Sequence, residues 1–535
     1  MSGMSDEARE QEERATRDQA ALMKLPYCDT RVEGTVQLLG SVMDPASMAH
    51  YHAVPLRRDD SHFYVGITVK TPQSTMQQIR DHFQDILVNF EVISESSMRE
   101  ILSRYQPVEK TAMAEIQITD AGSSSLGEIS VQLDAVRADD AFRFLMTQAI
   151  ALGCSDIHIE PARSGVRVRF RIDGALHQVA VLTHEKHGLI DMELVRRAGI
   201  KRMLAMPQAG RFTQSYIDAN SLPKQMSMRV ETMPTLFGTE TVIRLFNLDT
   251  SRLRIDQMEL DPKRKQEIAR VLARPFGLAL VVGPTGSGKT TTLYTFINEL
   301  NTPERKIVTL EDPIEYELDG ITQVPVTVED QSFGVKLEAV LREDPDVIMI
   351  GEIRNYDTAR TALQAALTGH LVLTTFHAGS AASALTRLLD MIEHNPLLSS
   401  AVRLIIAQRL VRRLCTDCRL PGEPSERVRE LISTELSKLP QDERPDLSNI
   451  RVYTAPGCDK CHHIGYRGRA AIREMLAITP ELEELLARRG AELTTAEMEK
   501  IAVERGMRTL LQDALLKVVA GETSVDELSR TTDIR

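Results

Sequence analysis

The sequence predicts an α/β protein whose largest unit is a parallel sheet with crossover helices, and three observations carry that prediction. Largely apolar runs at Leu278–Val282, Lys306–Leu310, Val347–Ile350 and Leu371–Thr375 are separated by helical stretches, the alternation that parallel β-α-β units require. The first run passes directly into GPTGSGKT at Gly283–Thr290, a glycine-rich turn between strand and helix. Two C-x-x-C pairs, Cys415/Cys418 and Cys458/Cys461, mark a metal-binding module beyond the sheet.

Residues 1–30, charged and polar, read as a mobile, helix-forming lead-in without the apolar stretch of a secretory signal. A unit over 31–118 mixes a strand-like FYVGITVK with a helix-like STMQQIRDHFQDILVNF, giving an N-terminal α/β domain. The small, polar TDAGSSSLGE lies in a linker at 119–130. An α+β unit at 131–250 opens on the helical pattern ADDAFRFLMTQAIALG and continues in alternating strands such as VRVRFRI and SMRVETM. The sheet unit takes 251–414 and is entered through a helix, DPKRKQEIARVLARP. The cysteine module occupies 415–470, irregular and polar up to about Arg451. Two helical segments, around TPELEELLARRG and TLLQDALLKVVAG, fill 471–535, and no internal repeat is found.

The chain has 535 residues, 42% hydrophobic and 26% charged, with room for about three to four soluble domains. Its 64 Lys and Arg against 76 Asp and Glu give a net charge of −12, which argues against nucleic-acid binding driven by overall charge. No apolar run approaches the ~18 residues of a membrane span. A cytoplasmic protein is expected, or one held at a membrane through partners. In that setting paired cysteines point to metal before disulfides.

In a GxxxxGK[ST] loop the glycines let backbone N–H groups converge on phosphate oxygens, and the helix N-terminus adds partial positive charge. Gly283, Pro284, Thr285, Gly286, Ser287, Gly288, Lys289, Thr290 and Thr291 are the expected nucleotide-binding residues. Lys289 is expected to reach the β- and γ-phosphates, and the Thr290 hydroxyl to hold Mg²⁺. The next strand ends in EDPIEYEL, which puts Glu311, Asp312 and Glu315 at the carboxyl end, where open α/β sheets bind ligands. The third ends in Gly351-Glu352, a Walker-B-like element with glutamate for the usual aspartate. His370 and His377 bracket the fourth, which suits a γ-phosphate contact or a subunit interface. The thiolates of Cys415, Cys418, Cys458 and Cys461 can close one tetrahedral Zn²⁺ site. The 39 residues between the pairs exceed the ~15–20 of a compact ribbon, so the metal would staple the base of a long excursion. A redox pair is the alternative, though one reactive pair beside a βαβ unit would then be expected. Cys28 and Cys154 read as ordinary buried thiols.

Together, GPTGSGKTTTLY, EDPIEY, LREDPDVIMIGEIRNYDTA and TGHLVLTTFHAGSAASALTRL resemble the secretion ATPase superfamily, and more closely the assembly ATPases of type II secretion and type IV pilus systems. SDIHIEP and VRFRIDGAL upstream, and AQRLVRRLC, GYRGRAAIREML and GMRTLLQDALLKVVAGETSVDEL downstream, extend the likeness over about Val136–Thr531. It implies a RecA-like P-loop ATPase domain, a preceding PAS-like α+β domain, an N-terminal docking domain and a tetracysteine zinc-binding C-terminal region. ATP, Mg²⁺ and Zn²⁺ are the implied cofactors. Glu311 would polarise the attacking water; Glu352 would organise Mg²⁺ and the γ-phosphate through water, with His377 beside them.

The likeness also implies a homo-hexamer, peripheral at the inner membrane, that drives pilus or pseudopilus assembly. Residues 1–120 would meet an integral-membrane platform protein and other machine components. In the family, arginines of the 131–250 domain approach the nucleotide as the cleft closes, which singles out Arg169, Arg171 and Arg211. A solvated basic strand face accounts for any one of them equally well. The sequence departs from the family at Asn355, where GEIRD is usual, and at Phe376 and Ala378. A RecA-like nucleic-acid motor or DNA-uptake ATPase is the competing class. The acidic balance and the absence of Trp disfavour it, and no nucleic-acid partner is expected. A scaffold with a dead loop is disfavoured by the intact Lys289, Thr290, Glu311 and Glu352.

Overall fold

The computed structural model describes residues 6–32, 35–37, 43, 47–48, 51–59, 61–83, 86–105, 116–117, 126–136, 138–201, 206–218, 222–247, 253–326, 333–392 and 397–532. The chain divides into two compact units, Met1–Ala114 and Glu115–Arg535.

In the first unit, β1 (Ala53–Arg58) pairs antiparallel with β2 (His62–Ile67), and β2 pairs parallel with β3 (Leu87–Val92). Parallel neighbours need a crossover, which the helix Gln73–His82 supplies. The helical run expected to reach Phe90 therefore stops at His82. Beyond it Val88, Phe90 and Val92 are buried at period two, a strand pattern in a β-branched and aromatic segment. Helix Asp6–Met23 is not a free lead-in. Its buried Glu13 accepts hydrogen bonds from Tyr27 Oη at 2.7 Å and Ser94 Oγ at 2.8 Å.

The second unit holds two seven-stranded sheets. The first is ordered β4-β8-β9-β10-β5-β6-β7, from β4 (Ile116–Gln117), β5 (Cys154–Ala162), β6 (Gly165–Ile172), β7 (Ala175–Leu182), β8 (Gln208–Ile217), β9 (Pro223–Thr235) and β10 (Gly238–Asn247). Helices Ala138–Ala151 and His184–Ala198 share its core, with Leu145 and Ile190 packed among Phe170, Met228 and Ile243. Pleating buries Val166, Val168, Phe170 and Ile172 of β6 and leaves Arg167, Arg169 and Arg171 together on the other face. Of the linker expected at 119–130, residues 119–125 lie outside the described residues. Leu126 already opens a helix, Leu126–Ala135, whose Ile129 and Leu133 are buried in this core.

The second sheet is ordered β13-β12-β14-β15-β11-β16-β19, from β11 (Gly277–Val282), β12 (Ile307–Glu311), β13 (Thr322–Pro325), β14 (Val347–Ile350), β15 (Leu371–Phe376), β16 (Val402–Leu414) and β19 (Tyr466–Ala477). A separate two-stranded sheet pairs β17 (Leu420–Gly422) with β18 (Val452–Thr454). Every pair in the large sheet is parallel except β16 with β19. Leu278, Leu280 and Val282 enter one core while Ala279 and Val281 enter another. Burial on both faces is why such strands read as continuous apolar runs. The division expected at residue 470 falls inside β19. Residues 415–470 are not irregular throughout, because helix Glu426–Ser437 buries Ile432 and Leu436 against Val411 and Leu515. Beyond β19, helices Pro480–Arg489, Thr495–Glu504, Leu510–Val519 and Val525–Thr531 stand where two were expected.

Candidate active site and cysteine centre

β11 delivers the glycine-rich loop at its carboxyl end, and helix Lys289–Leu300 starts with Gly288 as its cap. Gly288 has φ 83°, and a Cβ there would lie 2.8 Å from Gln408 Nε2, so only glycine fits. Gln408 of β16, 2% exposed, braces the loop. Its Nε2 donates to Ser287 O at 2.8 Å, and its Oε1 accepts from Thr292 Oγ1 at 3.0 Å and Arg473 Nε at 3.1 Å. Sequence reasoning missed this residue; its signal was an uncharged polar side chain directly after the apolar run LIIA. Lys289 Nζ donates to the Gly283 and Pro284 carbonyls at 3.0 and 3.1 Å, which keeps the ammonium at the loop. Its pKa is held below the usual lysine value, chiefly by burial and also by Arg409, with the Glu352 carboxylate offsetting only part of the shift. Pro284, Thr285, Gly286, Thr290 and Thr291 are exposed, so backbone and hydroxyl groups remain accessible to an anion and its cation.

Because the sheet is parallel here, the acidic strand ends open on the same side as the loop. Glu311 ends β12 at 2% exposure. It accepts from Thr309 Oγ1 at 2.6 Å, from Gln323 Nε2 at 3.1 Å and from Tyr294 Oη. Tyr294 Oη also accepts from the Glu315 N–H at 3.2 Å, so acid, tyrosine and the EDPIE turn form one network. Glu352, just past β14, accepts from Arg354 Nε at 2.9 Å and lies 2.9 Å from His377 Nε2. Its side chain is 19% exposed, more open than that of Glu311. Lys289, Thr290, Glu311, Glu315, Glu352 and His377 line one cavity of about 440 Å³.

His370 does not join them. It precedes β15 at the opposite end of the strand, with Nδ1 3.0 Å from Ala365 O. Asn355 caps helix Tyr356–Leu367, its Oδ1 accepting from the Thr358 N–H at 3.0 Å. Aspartate would do the same, so the departure from GEIRD leaves the helix start intact. Phe376 and Ala378 are buried core residues.

Strand register builds an arginine row opposite the loop. Arg211 of β8 faces Arg229 of β9, Arg229 faces Arg244 of β10, Arg244 faces Asp156 of β5, and Asp156 faces Arg171 of β6. Arg229 also pairs with Glu231 of its own strand at 2.9 Å, which leaves four guanidiniums against two carboxylates, still an excess of positive charge that suits an anion. Arg229 and Arg244 line the 440 Å³ cavity with Lys289. Arg244 and Arg171 line a second cavity of about 620 Å³, bounded by Pro284, Thr285, Gly286 and Ser287. Burial pushes the Glu315 carboxyl up in pKa while Arg211, Arg244 and Arg229 pull it down, so the acidic turn feels the same row. Of the three expected arginines, only Arg171 lines either of these cavities. Arg169 is paired with Glu160, and Arg211 stands in the row without lining them. Arg244, which sequence reasoning did not single out, lines both.

The four cysteines converge. Sγ–Sγ separations are 3.9 Å for Cys415–Cys458, 3.9 Å for Cys418–Cys461 and 3.8 Å for Cys458–Cys461, and all four lie within 4.8 Å of one another. A Zn–S bond of ~2.3 Å places tetrahedral sulfurs ~3.8 Å apart, so the set fits that ion. Cys458 N–H and Gly465 N–H donate to Cys461 Sγ at 3.2 and 3.3 Å, the support a thiolate needs. Cys28 and Cys154 are buried single thiols.

The family described as type II/IV secretion system protein matches residues 137–530. The chain is 40% identical over 394 residues to the type II secretion system ATPase E of Vibrio cholerae, covering 72% of this chain and 74% of that protein. It is 35% identical over 519 residues to the type IV pilus assembly ATPase PilB of Pseudomonas aeruginosa, covering 95% and 88%. The X-ray structure of the Yersinia pseudotuberculosis ATPase DotB shares the fold at TM-score 0.56 and 22% identity, over 74% of this chain and 94% of that one.

Proposed function

The chain belongs to the type II/IV secretion system protein family and is an ATPase, and from that premise we propose that it is a homo-hexameric motor that converts ATP hydrolysis into pilus or pseudopilus assembly. One observation carries the reading. Lys289 and the acids of one sheet, and Arg229 and Arg244 of the other, line a single cavity. A γ-phosphate there would be held from both sides, and closure of the two sheets would complete the charge that phosphoryl transfer develops. Thr290 would hold Mg²⁺. Glu352, the more accessible acid, would orient the attacking water, and Glu311, engaged by three donors, would fix the turn that carries Glu315. The cysteine quartet would hold Zn²⁺ as a closed structural centre with no open position.

The alignment with the pilus assembly ATPase over 95% of this chain favours pilus extension, while the higher identity to the Vibrio cholerae protein supports type II secretion as the second reading. Residues 1–120 would dock an inner-membrane platform protein and other assembly components, and these would hold the motor at the cytoplasmic face. Among the described residues no helix is long and apolar enough to cross a membrane. The test is ATP turnover of the purified chain with its mass in solution, beside Lys289→Ala. Turnover by a ring, lost in the variant, is expected; a variant that hydrolyses like wild type would overturn the reading.

A further inference from the structure

Building on the reading of that cavity as the nucleotide site, we propose that Asp156 is a positioning residue for ATP hydrolysis, fixing Arg244 and Arg171 beside the phosphate loop. Asp156 lies in β5 between the strands that carry the two arginines and is directly opposite both. It is 7% exposed. One carboxylate oxygen accepts from Arg244 Nε at 2.9 Å. The other lies 3.5 Å from Arg171 Nε and accepts from Ser155 Oγ at 2.9 Å. Arg171 is steadied further by donating to Gly174 O at 3.2 Å.

Arg244 is the residue this anchoring affects most. Its side chain is 53% exposed, and a long exposed arginine samples many rotamers unless a fixed partner selects one. The buried carboxylate grips it at Nε, close to the stem, and the guanidinium goes on to line both cavities at the loop. Without the carboxylate, mutual repulsion along the row would drive Arg244 away from Arg229 and Arg171. Hydrolysis would then have to reassemble the cation cluster in each turnover.

The fold supplies its own control. Glu160, further along β5, makes the same double contact, with Arg167 and Arg169. None of those three lines either cavity. A generic need for paired charges on this sheet face would make the two acids equivalent, whereas a positioning role belongs to Asp156 alone.

The experiment measures kcat and the Kd of a fluorescent ADP for the full chain and for Asp156→Asn, Glu160→Gln, Arg244→Ala, Lys289→Ala and the double variant Asp156→Asn/Arg244→Ala. Asp156→Asn should lower kcat about tenfold or more while Kd stays within about twofold, and Glu160→Gln should leave both within about twofold. In the Arg244→Ala background Asp156→Asn should add much less than it costs alone, because most of its effect runs through that arginine and only the Arg171 share remains. A wild-type kcat in Asp156→Asn, an equal loss in Glu160→Gln, or additive losses in the double variant would each overturn the proposal. Should Asp156→Asn fail to fold in a thermal melt, Asp156→Glu decides: it keeps the charge but displaces both guanidiniums, so a fall in kcat supports the proposal and an unchanged kcat overturns it. Lys289→Ala separates the two levels, since retained turnover there would remove the nucleotide-site reading itself.

Discussion

Glutamine at Glu443 removes a charge that joins three segments of the second unit. Glu443 sits in the long excursion between the cysteine pairs with its side chain 9% exposed. It pairs with Lys263 at 2.9 Å and Arg264 at 3.1 Å, both in the helix Pro262–Leu272, and with Arg508 at 2.7 Å just before the helix Leu510–Val519. Burial alone would raise its pKa, but the three cations win and hold it at about 2 against an ordinary 4.5. At ~1.4 kcal/mol per pH unit the depression corresponds to about 3 kcal/mol at neutral pH, in line with breaking a buried pair. The folded pKa lies below the unfolded one. The contribution is therefore complete above about pH 4.5 and is lost as the pH falls toward about 2. Amide hydrogen exchange reports it locally. At pH 7, Glu443→Gln should speed exchange in those two helices by about two orders of magnitude, the same free energy expressed as an opening equilibrium. The gap in melting temperature between wild type and variant should narrow from about pH 5 to about pH 3. Unchanged protection in both helices would refute the reasoning.

The two acids should separate by readout. Glu352→Gln should bind ATP and lose turnover, since an amide cannot accept the proton of water; if Glu311→Gln alone abolishes turnover, the roles stand the other way round. Gln408→Ala should weaken nucleotide binding about tenfold by freeing the Ser287 carbonyl and leaving buried donors unpaired, and wild-type affinity in a titration would contradict the bracing role. Protein purified without chelators should carry one zinc per chain, and Cys458→Ser should release it and loosen the region around the helix Glu426–Ser437. Metal analysis showing no zinc would rule out the structural centre.

What the sequence revealed was local. The four apolar runs are strands because each is buried on both faces, and that leaves a composition signal. The phosphate loop and the cysteine pairs are short motifs whose spacing carries their chemistry. The other strands are harder. β16 and β19 carry arginines and Gln408 at the site among their apolar residues, which blurs the period. Helix Glu426–Ser437 was hidden because its apolar residues serve a small local core. Most of all, the arginine row depends on register between strands far apart in sequence. Arg244 and Asp156 are separated by 88 residues, and Gln408 and Ser287 by 121. Period two on β6 shows which arginines share a face, but it does not show which of them register brings to the loop. For the same reason Arg169 looked equivalent to Arg171, but register sets only Arg171 opposite Asp156, while Arg169 lies opposite His158 and reaches diagonally to Glu160.

The central claim is that the site is shared between the two sheets of the second unit, with Lys289 from one and arginines from the other. The most direct measurement is steady-state ATP turnover of the full chain carrying Arg229→Ala and Arg244→Ala together, beside its affinity for ADP. The account predicts turnover reduced by about three orders of magnitude, as when an arginine is withdrawn from a phosphoryl-transfer transition state, with ADP binding largely kept. Turnover within about twofold of wild type would contradict it, because a shared site cannot lose one side and keep its rate.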